Sequence, residues 1–316
     1  MLRRRCKHHS DTMVRVSAQT SIARLEVVIV SFRCRELLRA CLRSLQEFPC
    51  RGTTIVHVVD NASSDGTVEM VCAEFPDLRL YALPENTGFS RANNVALRET
   101  HAPYVLLLNP DTAVTPGALE HMLESLRTQP RAGMAGCRLV QPDGTFDHAA
   151  KRAFPTPLGA LAHFSGLGRR AGASAALAQY RAPDLGEHDV GVVDAINGAF
   201  MLVRREALEQ VGLLDEGYWL YMEDLDWCYA FHEAGWDVLY DGRATVLHVK
   251  GATAGRYRRL RQNIAFHRGM GRFYRKWYAG ERPLVDLAVY AGIGAKLTAS
   301  ATRSAFARRA AARAAG

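Results

Sequence analysis

Apolar residues along the chain come in short, β-branched runs separated by stretches of helical period. Residues 26–32 (EVVIVSF), 54–60 (TIVHVVD), 78–83, 104–109 (YVLLLN) and 133–140 read as strands, and residues 35–47, 67–75, 90–100 and 116–127 read as helices. The strand runs are continuous rather than alternating. That pattern predicts an α/β domain whose mostly parallel central sheet is flanked by helices on both faces. Right-handed crossovers then bring the strand ends to one edge, where ligands bind in open α/β sheets.

The pattern breaks after Val140. Pro142-Asp143-Gly144 is a turn signal, and residues 154–183 are rich in Gly, Ala and Pro without a clear period. This segment is expected to be a variable loop or short-helix insertion near the active site. Strands return at 190–194 and 198–204. A helix is expected from Glu223 to Ala234, stopped by Gly235, and two short strands at 236–240 and 244–249.

Composition adds exclusions. The 316 residues are 48% hydrophobic and 23% charged, which excludes a disordered, collagen-like or disulfide-scaffold protein. Seven cysteines (Cys6, Cys34, Cys41, Cys50, Cys72, Cys137, Cys228) form no CxxC pair and are expected to be reduced thiols. No uncharged apolar run reaches the length of a bilayer span. No apolar segment of signal-peptide type follows the basic start, so a cytoplasmic protein is expected.

Charge is uneven. Residues 250–316 hold fifteen Lys/Arg against two Asp/Glu, and residues 1–24 hold six against one, so the body between them is net acidic although the whole chain carries +8. The Ala-, Leu- and Arg-rich tail after Pro283 is expected to be helical. It suits an anionic membrane surface, the alternative being a solvated terminal helix.

Several polar groups fall at predicted strand ends. Ser31 closes the first strand and Asp60 the second, where a carboxylate can accept from a nucleobase edge or a ribose hydroxyl. Ser63, Ser64 and Asp65 read as a turn and helix cap. In Asn86-Thr87-Gly88-Phe89-Ser90-Arg91, Gly88 allows a tight strand-to-helix turn, the helix N-terminus suits a diphosphate, and Arg91 can add charge-assisted contacts. Asp111, after Asn109-Pro110, is placed to hold a divalent cation, and His248 can join it through a neutral imidazole. Glu223, Asp224 and Asp226 crowd near Trp219 and Tyr221, and such crowding raises a carboxyl pKa and suits a general base.

Taken in order, Ser31-Phe32, the 59–66 segment (VDNASSDG), Asn86-Thr87-Gly88-Phe89, Leu108-Asn109-Pro110-Asp111, Gly198-Ala199-Phe200-Met201, the 221–226 segment (YMEDLD) and His248 resemble family 2 glycosyltransferases of the GT-A fold, and among them the bacterial rhamnosyltransferases of cell-wall and O-antigen assembly. The resemblance implies a GT-A domain over residues 25–282, between a basic appendage (1–24) and a basic tail (283–316). It implies an inverting transferase using a nucleotide-sugar donor with Mg2+ or Mn2+. Donor contacts fall on Ser31, Asp60, Asn86, Gly88, Arg91, Asn109 and Asp111, with Asp60 on the base. Asp224 is the catalytic base, and Trp219, Tyr221 and Glu223 are acceptor-site candidates. Asn109 stands where the family often has a first acid, so Asp111 and His248 are the metal ligands. The best match is L-rhamnose from dTDP-rhamnose, passed to a glycan or polyprenyl-diphosphate-linked acceptor by an enzyme peripheral on the inner face of the cell membrane, with no nucleic-acid partner. The rivals are a sugar-nucleotide nucleotidyltransferase, which would normally have a glycine-rich loop where residues 32–36 have none, and a non-catalytic basic protein that binds nucleic acid or lipid.

Overall fold

A computed structural model describes residues 13–15, 24–155, 184–249, 260–280 and 282–314. The Gly/Ala/Pro-rich insertion lies, from 156 to 183, outside the described residues, as does most of the N-terminal 24-residue segment.

The first half alternates strand and helix as the apolar runs predict, except for two added strands, the first and the sixth: β1 (Met13–Arg15), β2 (Leu25–Ser31), α1 (Arg35–Glu47), β3 (Thr54–Asp60), α2 (Thr67–Glu74), β4 (Arg79–Ala82), α3 (Phe89–Leu97), β5 (Tyr104–Leu108), β6 (Thr112–Val114) and α4 (Ala118–Thr128). The second half holds β7 (Ala132–Val140), β8 (Lys151–Arg152), β9 (Val190–Val192), β10 (Ala195–Ile196), β11 (Phe200–Arg204), α5 (Arg205–Val211), α6 (Glu223–Glu233), β12 (Asp237–His248), α7 (Leu260–Trp277) and α8 (Pro283–Ala314).

One ten-stranded sheet runs in the order β1-β4-β3-β2-β5-β11-β7-β12-β6, with β9 paired to β12; β8 and β10 form a separate ribbon. β4, β3, β2 and β5 are mutually parallel, β12 is parallel to β7, and β11 runs against both β5 and β7. Every residue of β2 is buried, as expected of a strand covered on both faces. The cover comes from helices with apolar stripes of helical spacing, such as Leu38, Cys41, Leu42 and Leu45 on α1 and Leu119, Met122, Leu123 and Leu126 on α4.

Four features differ from the sequence expectation. The two strands expected at 236–240 and 244–249 are one strand, β12, with a register shift between Asp241 and Thr245. Met13–Arg15, inside the basic appendage, pairs antiparallel with β4. Helix α5 follows β11 without a loop. Over Pro283–Thr302, α8 is long and apolar enough to cross a membrane by length and composition, although Asp286 and Lys296 interrupt its apolar run. Cys34, Cys41, Cys50, Cys72, Cys137 and Cys228 are free thiols, as expected.

Candidate active site

The topology gathers the strand-end groups on one edge. Ser31 pairs with Asp60 at the matching ends of β2 and β3, and Leu108 at the end of β5 pairs with Phe200 at the start of β11. The amide of Asn109 donates to the carbonyl of Ala199 at 3.0 Å. His248 closes β12 opposite Thr112 of β6, and the Val249 amide donates to the Asp111 carbonyl at 2.8 Å.

Asp60 is only 2% exposed. Its Oδ2 accepts from the Ser63 amide at 2.9 Å, whereas its buried Oδ1 has no hydrogen-bond partner. Burial pushes its carboxyl pKa up, and the contact with Ser63 offsets part of that rise. Ser63 Oγ accepts from the Arg33 amide, and Asp65 accepts from Thr67 and from the Arg35 amide, so both brace turns as expected. The cap of α2 is Gly66 with no side-chain cap bond, so neither Ser63 nor Ser64 caps the helix and Asp65 precedes its first turn. Ser31 is fully buried, with its hydroxyl 3.3 Å from Cys34 Sγ.

Asn61 ties this corner to the next loop. Its Oδ1 accepts from the Thr87 amide at 2.9 Å, and its amide group donates to the Gly88 carbonyl at 3.1 Å. Asn86 Oδ1 accepts from the Gly88 amide at 3.0 Å. Gly88 has φ +90°, and the close approach it permits is that of Trp219: a Cβ there would lie 2.4 Å from the Trp219 carbonyl oxygen. The Phe89 amide donates to that same oxygen at 2.7 Å. Two of the amides expected to face a diphosphate therefore bind protein oxygens. Arg91 pairs with Glu216 at 3.1 Å, beside Arg98. Gly88→Ala is expected to destabilise the fold by about 2–4 kcal/mol, from left-handed strain plus the Trp219 clash, seen as a lower melting temperature. An unchanged melt would show that the 86–89 turn tolerates a side chain.

Asp111 and His248 do meet. His248 Nε2 lies 3.6 Å from Asp111 Oδ1, and its Nδ1 lies 3.2 Å from Asp147 Oδ2. All three residues are buried. Burial disfavours the imidazolium, but the two carboxylates outweigh it and raise His248 to about 9. The ring is thus held as an imidazolium between the two carboxylates, not as the neutral imidazole expected from the sequence. Once that proton is displaced, the imidazole and the Asp111 carboxylate form a donor set suited to a divalent cation. Among the described residues no group of three or more His, Cys, Asp or Glu gathers as a metal cage. Two such donors would leave the other positions of a Mg2+ or Mn2+ ion to phosphate oxygens and water.

Asp224 lies in the first turn of α6. Its Oδ2 accepts from Arg152 at 2.6 Å and from the Gly198 amide at 3.2 Å, and its Oδ1 from the Leu225 amide at 2.9 Å. Arg152 also donates to the Ile196 carbonyl at 2.6 Å, which fixes the guanidinium. The chain enters α6 through Tyr221 and Met222 at φ 71° and 75°. Two consecutive non-glycine residues in the left-handed region store about 1–3 kcal/mol each. Glu223 is buried, its Oε2 unpartnered, and burial, reinforced by the charge of Asp224, raises its pKa strongly. Asp226 is different: Tyr218, Lys276 and Trp277 all donate to it, so it is a structural anchor between α6 and α7. The Tyr221 ring packs edge-on against Phe266, and the Arg261 guanidinium lies 4.1 Å from the centre of the Trp219 ring.

Buried polar atoms without a protein partner mark this edge. Among the described residues, Asp60 Oδ1, Ser90 Oγ, Trp219 Nε1 and Glu223 Oε2 belong to the segments just described, whereas another, Arg79 Nε, lies beside Glu26 at the far end of the sheet. Buried polar groups are nearly always satisfied, so such a concentration indicates a place where a polar ligand completes the bonding. The sequence did not single out Asn61, Asp147, Arg152 or Gly198 as contacts. Asp147 and Arg152 sit in the aperiodic stretch after Val140, where no pattern marks them.

Comparisons with known proteins identify the family and the fold. The family described as "Glycosyltransferase like family 2" matches residues 23–264. The N-acetylglucosaminyl-diphospho-decaprenol L-rhamnosyltransferase of Mycobacterium tuberculosis is 31% identical over 243 residues, covering 73% of this chain and 78% of that protein. The low-salt glycan biosynthesis hexosyltransferase Agl10 of Haloferax volcanii is 26% identical over 217 residues, covering 67% of this chain and 62% of that protein. Among solved structures, a mannosyltransferase from Pyrobaculum calidifontis in complex with GDP-Man and Mn2+ aligns with a TM-score of 0.57 at 18% identity, over 94% of this chain and 82% of that one. GalNAc-T7 with UDP, GalNAc and Mn2+ aligns with a TM-score of 0.57 at 13% identity, over 83% and 49%.

Proposed function

The chain belongs to the family-2-like glycosyltransferases and has the GT-A fold, and on that premise we propose that it moves L-rhamnose from dTDP-rhamnose to a hydroxyl of a polyprenyl-diphosphate-linked acceptor, with inversion at the anomeric carbon. The sugar and the acceptor rest on the likeness to the mycobacterial relative. The observation that carries the donor site is the row of unsatisfied buried polar atoms from Asp60 to Glu223 along the strand-end edge.

In this reading the nucleobase lies at Ser31 and Asp60, whose free Oδ1 accepts from the base edge. Asn61, Asn86 and Gly88 fix the loop that closes over the nucleoside, while Asn109 holds the β5 end against Ala199. Asp111 and His248 would hold a divalent cation, which neutralises the charge gathering on the departing diphosphate. Asp224 stands one residue into α6 and is aimed by Arg152 and the Gly198 amide. It takes the proton from the acceptor hydroxyl as that oxygen forms its bond to the anomeric carbon and the bond to the diphosphate oxygen breaks. Glu223 stays protonated through burial, so no second negative charge competes with Asp224. Trp219 and Tyr221 present aromatic surface on the acceptor side.

The test is a donor panel incubated with membrane extract and read by the mass of the lipid-linked product. A gain of one deoxyhexose, found only with dTDP-rhamnose, is expected. A hexose or N-acetylhexosamine gain from another donor would replace the rhamnose assignment. For the cation, Asp111→Ala is expected to remove at least about a tenfold gain in nucleoside-diphosphate affinity that Mn2+ gives the wild type, as read by calorimetry with and without metal. Identical titrations for both proteins would take Asp111 out of the cation site.

A further inference from the structure

From the α7–α8 hairpin we infer an interfacial membrane anchor: the outward face of α8 lies in the plane of an anionic leaflet and holds the catalytic loop beside it. Helices α7 and α8 pack antiparallel. Tyr274 donates to Asp286 at 2.7 Å near one end, and Asn263 donates to Ser300 at 2.8 Å near the other. Tyr274, Val289 and Ile293 form a small apolar cluster between them. That packing uses only one stripe of α8.

The opposite stripe has an unusual composition for a helix in water. No exposed position between Pro283 and Thr302 carries a charge, because the two charged residues there, Asp286 and Lys296, are both partly buried. Leu284 is 84% exposed and Leu287 is 67% exposed, and Tyr290 lies within the next turn. Three of the eight exposed large apolar side chains in the described residues thus fall within seven consecutive positions. A solvated surface helix normally carries charged or polar residues on its outer face. A helix entering a lipid interface presents this pattern instead, with leucines and an amphipathic aromatic ring at its head.

Charge identifies the occupant. No acidic residue follows Asp286, while Lys296, Arg303, Arg308, Arg309 and Arg313 do. Arg261, Arg268 and Arg275 are exposed on α7. A second copy of this chain would bring the same positive field and be repelled, whereas an anionic leaflet attracts each cation near its surface. The contact is in-plane rather than spanning. A span would carry α7, its exposed arginines and the Asn263–Ser300 bond into hydrocarbon, or strip them from α8.

The hairpin is tied to the site. Lys276 and Trp277 donate to Asp226 at 2.7 Å each, Arg272 pairs with Asp215, and Arg261 stacks on Trp219. The anchor therefore fixes the height of the 215–226 segment above the leaflet, where a lipid-linked acceptor presents its sugar. That purpose rests on the acceptor reading above; vesicle binding is measured without any sugar transfer, so the two fail separately.

The experiment is co-sedimentation of the full chain with phosphatidylglycerol/phosphatidylcholine vesicles and with pure phosphatidylcholine vesicles, at low and high salt. Binding to the anionic vesicles, falling as salt rises, is expected. Leu284→Asp/Leu287→Asp is expected to weaken it about 30-fold or more with an unchanged melting temperature, since both side chains are exposed. Should that pair fail to fold, Leu284→Ala/Leu287→Ala is expected to weaken it about tenfold. Full binding by a folded variant would overturn the anchor. So would a wild-type dimer in light scattering that depends on these leucines, without vesicle binding.

Discussion

Asp224→Asn is expected to lower turnover by about 100- to 10,000-fold while leaving nucleoside-diphosphate binding unchanged. The substitution keeps the shape of the side chain and an oxygen for Arg152, which now lies 2.6 Å from Asp224 Oδ2. It removes the capacity to accept a proton. Loss therefore belongs in the chemical step and not in donor affinity. Glu223→Gln is the internal contrast. Burial already keeps the Glu223 carboxyl neutral, so an uncharged amide changes the local electrostatics little and should cost far less than the loss at Asp224. Rapid-quench turnover, paired with donor titration, reads both. Equal losses for the two variants, or near-normal turnover in Asp224→Asn, would move the base elsewhere on this edge.

The largest effect on stability is expected at the opposite end of the sheet. Glu26 is the second residue of β2 and is 2% exposed. Its carboxylate accepts from the amides of His101 and Ala102, lies 3.4 Å from His57 Nε2 and 3.6 Å from Arg79, and has Arg205 at 4.0 Å. Burial raises its pKa, but His57 and the two amides outweigh burial and bring it down to about 2. Glu26→Ala leaves those donors unpaired in the interior and is expected to cost about 3–5 kcal/mol, a fall in melting temperature on the order of 10 °C. The sign with pH follows from a folded value below the unfolded one. The stabilisation is complete above the ordinary glutamate value of about 4.3, and is lost as pH falls from there through about 2. The wild type should therefore lose stability over that window more steeply than the variant. Parallel acid limbs, or a melt within a degree of wild type, would show that the network is replaceable.

Much of this architecture was legible because the β4-β3-β2-β5 part of the sheet is parallel and doubly covered. Such strands must be apolar throughout, and 25–31 and 104–108 announce themselves that way. The strand ends were legible for the same reason: Asp60 and Asp111 interrupt apolar runs where a polar side chain has no packing role. β12 was read as two strands because Asp241-Gly242-Arg243 breaks its apolar run. In the fold Asp241 is fully buried, its carboxylate taking Ser125, His121 and Arg243, so the chain carries a charge through the register shift instead of ending there. Asp147 and Arg152 could not be read locally. Their meaning lies in contacts with His248 and Asp224, 101 and 72 residues away, and no periodicity encodes such a pairing. The outward face of α8 was hidden by its arginines, which dominate the composition of the tail while the exposed stripe ahead of them is neutral.

A crystal structure of the full chain soaked with Mn2+ and a nucleoside diphosphate tests the central claim most directly. The base should contact Asp60 Oδ1, the metal should join Asp111 and His248 to the diphosphate, and the terminal phosphate should face Asp224 across an open space large enough for one sugar. A nucleotide bound away from the strand-end edge, or one that leaves Asp224 on a separate surface, would contradict the account.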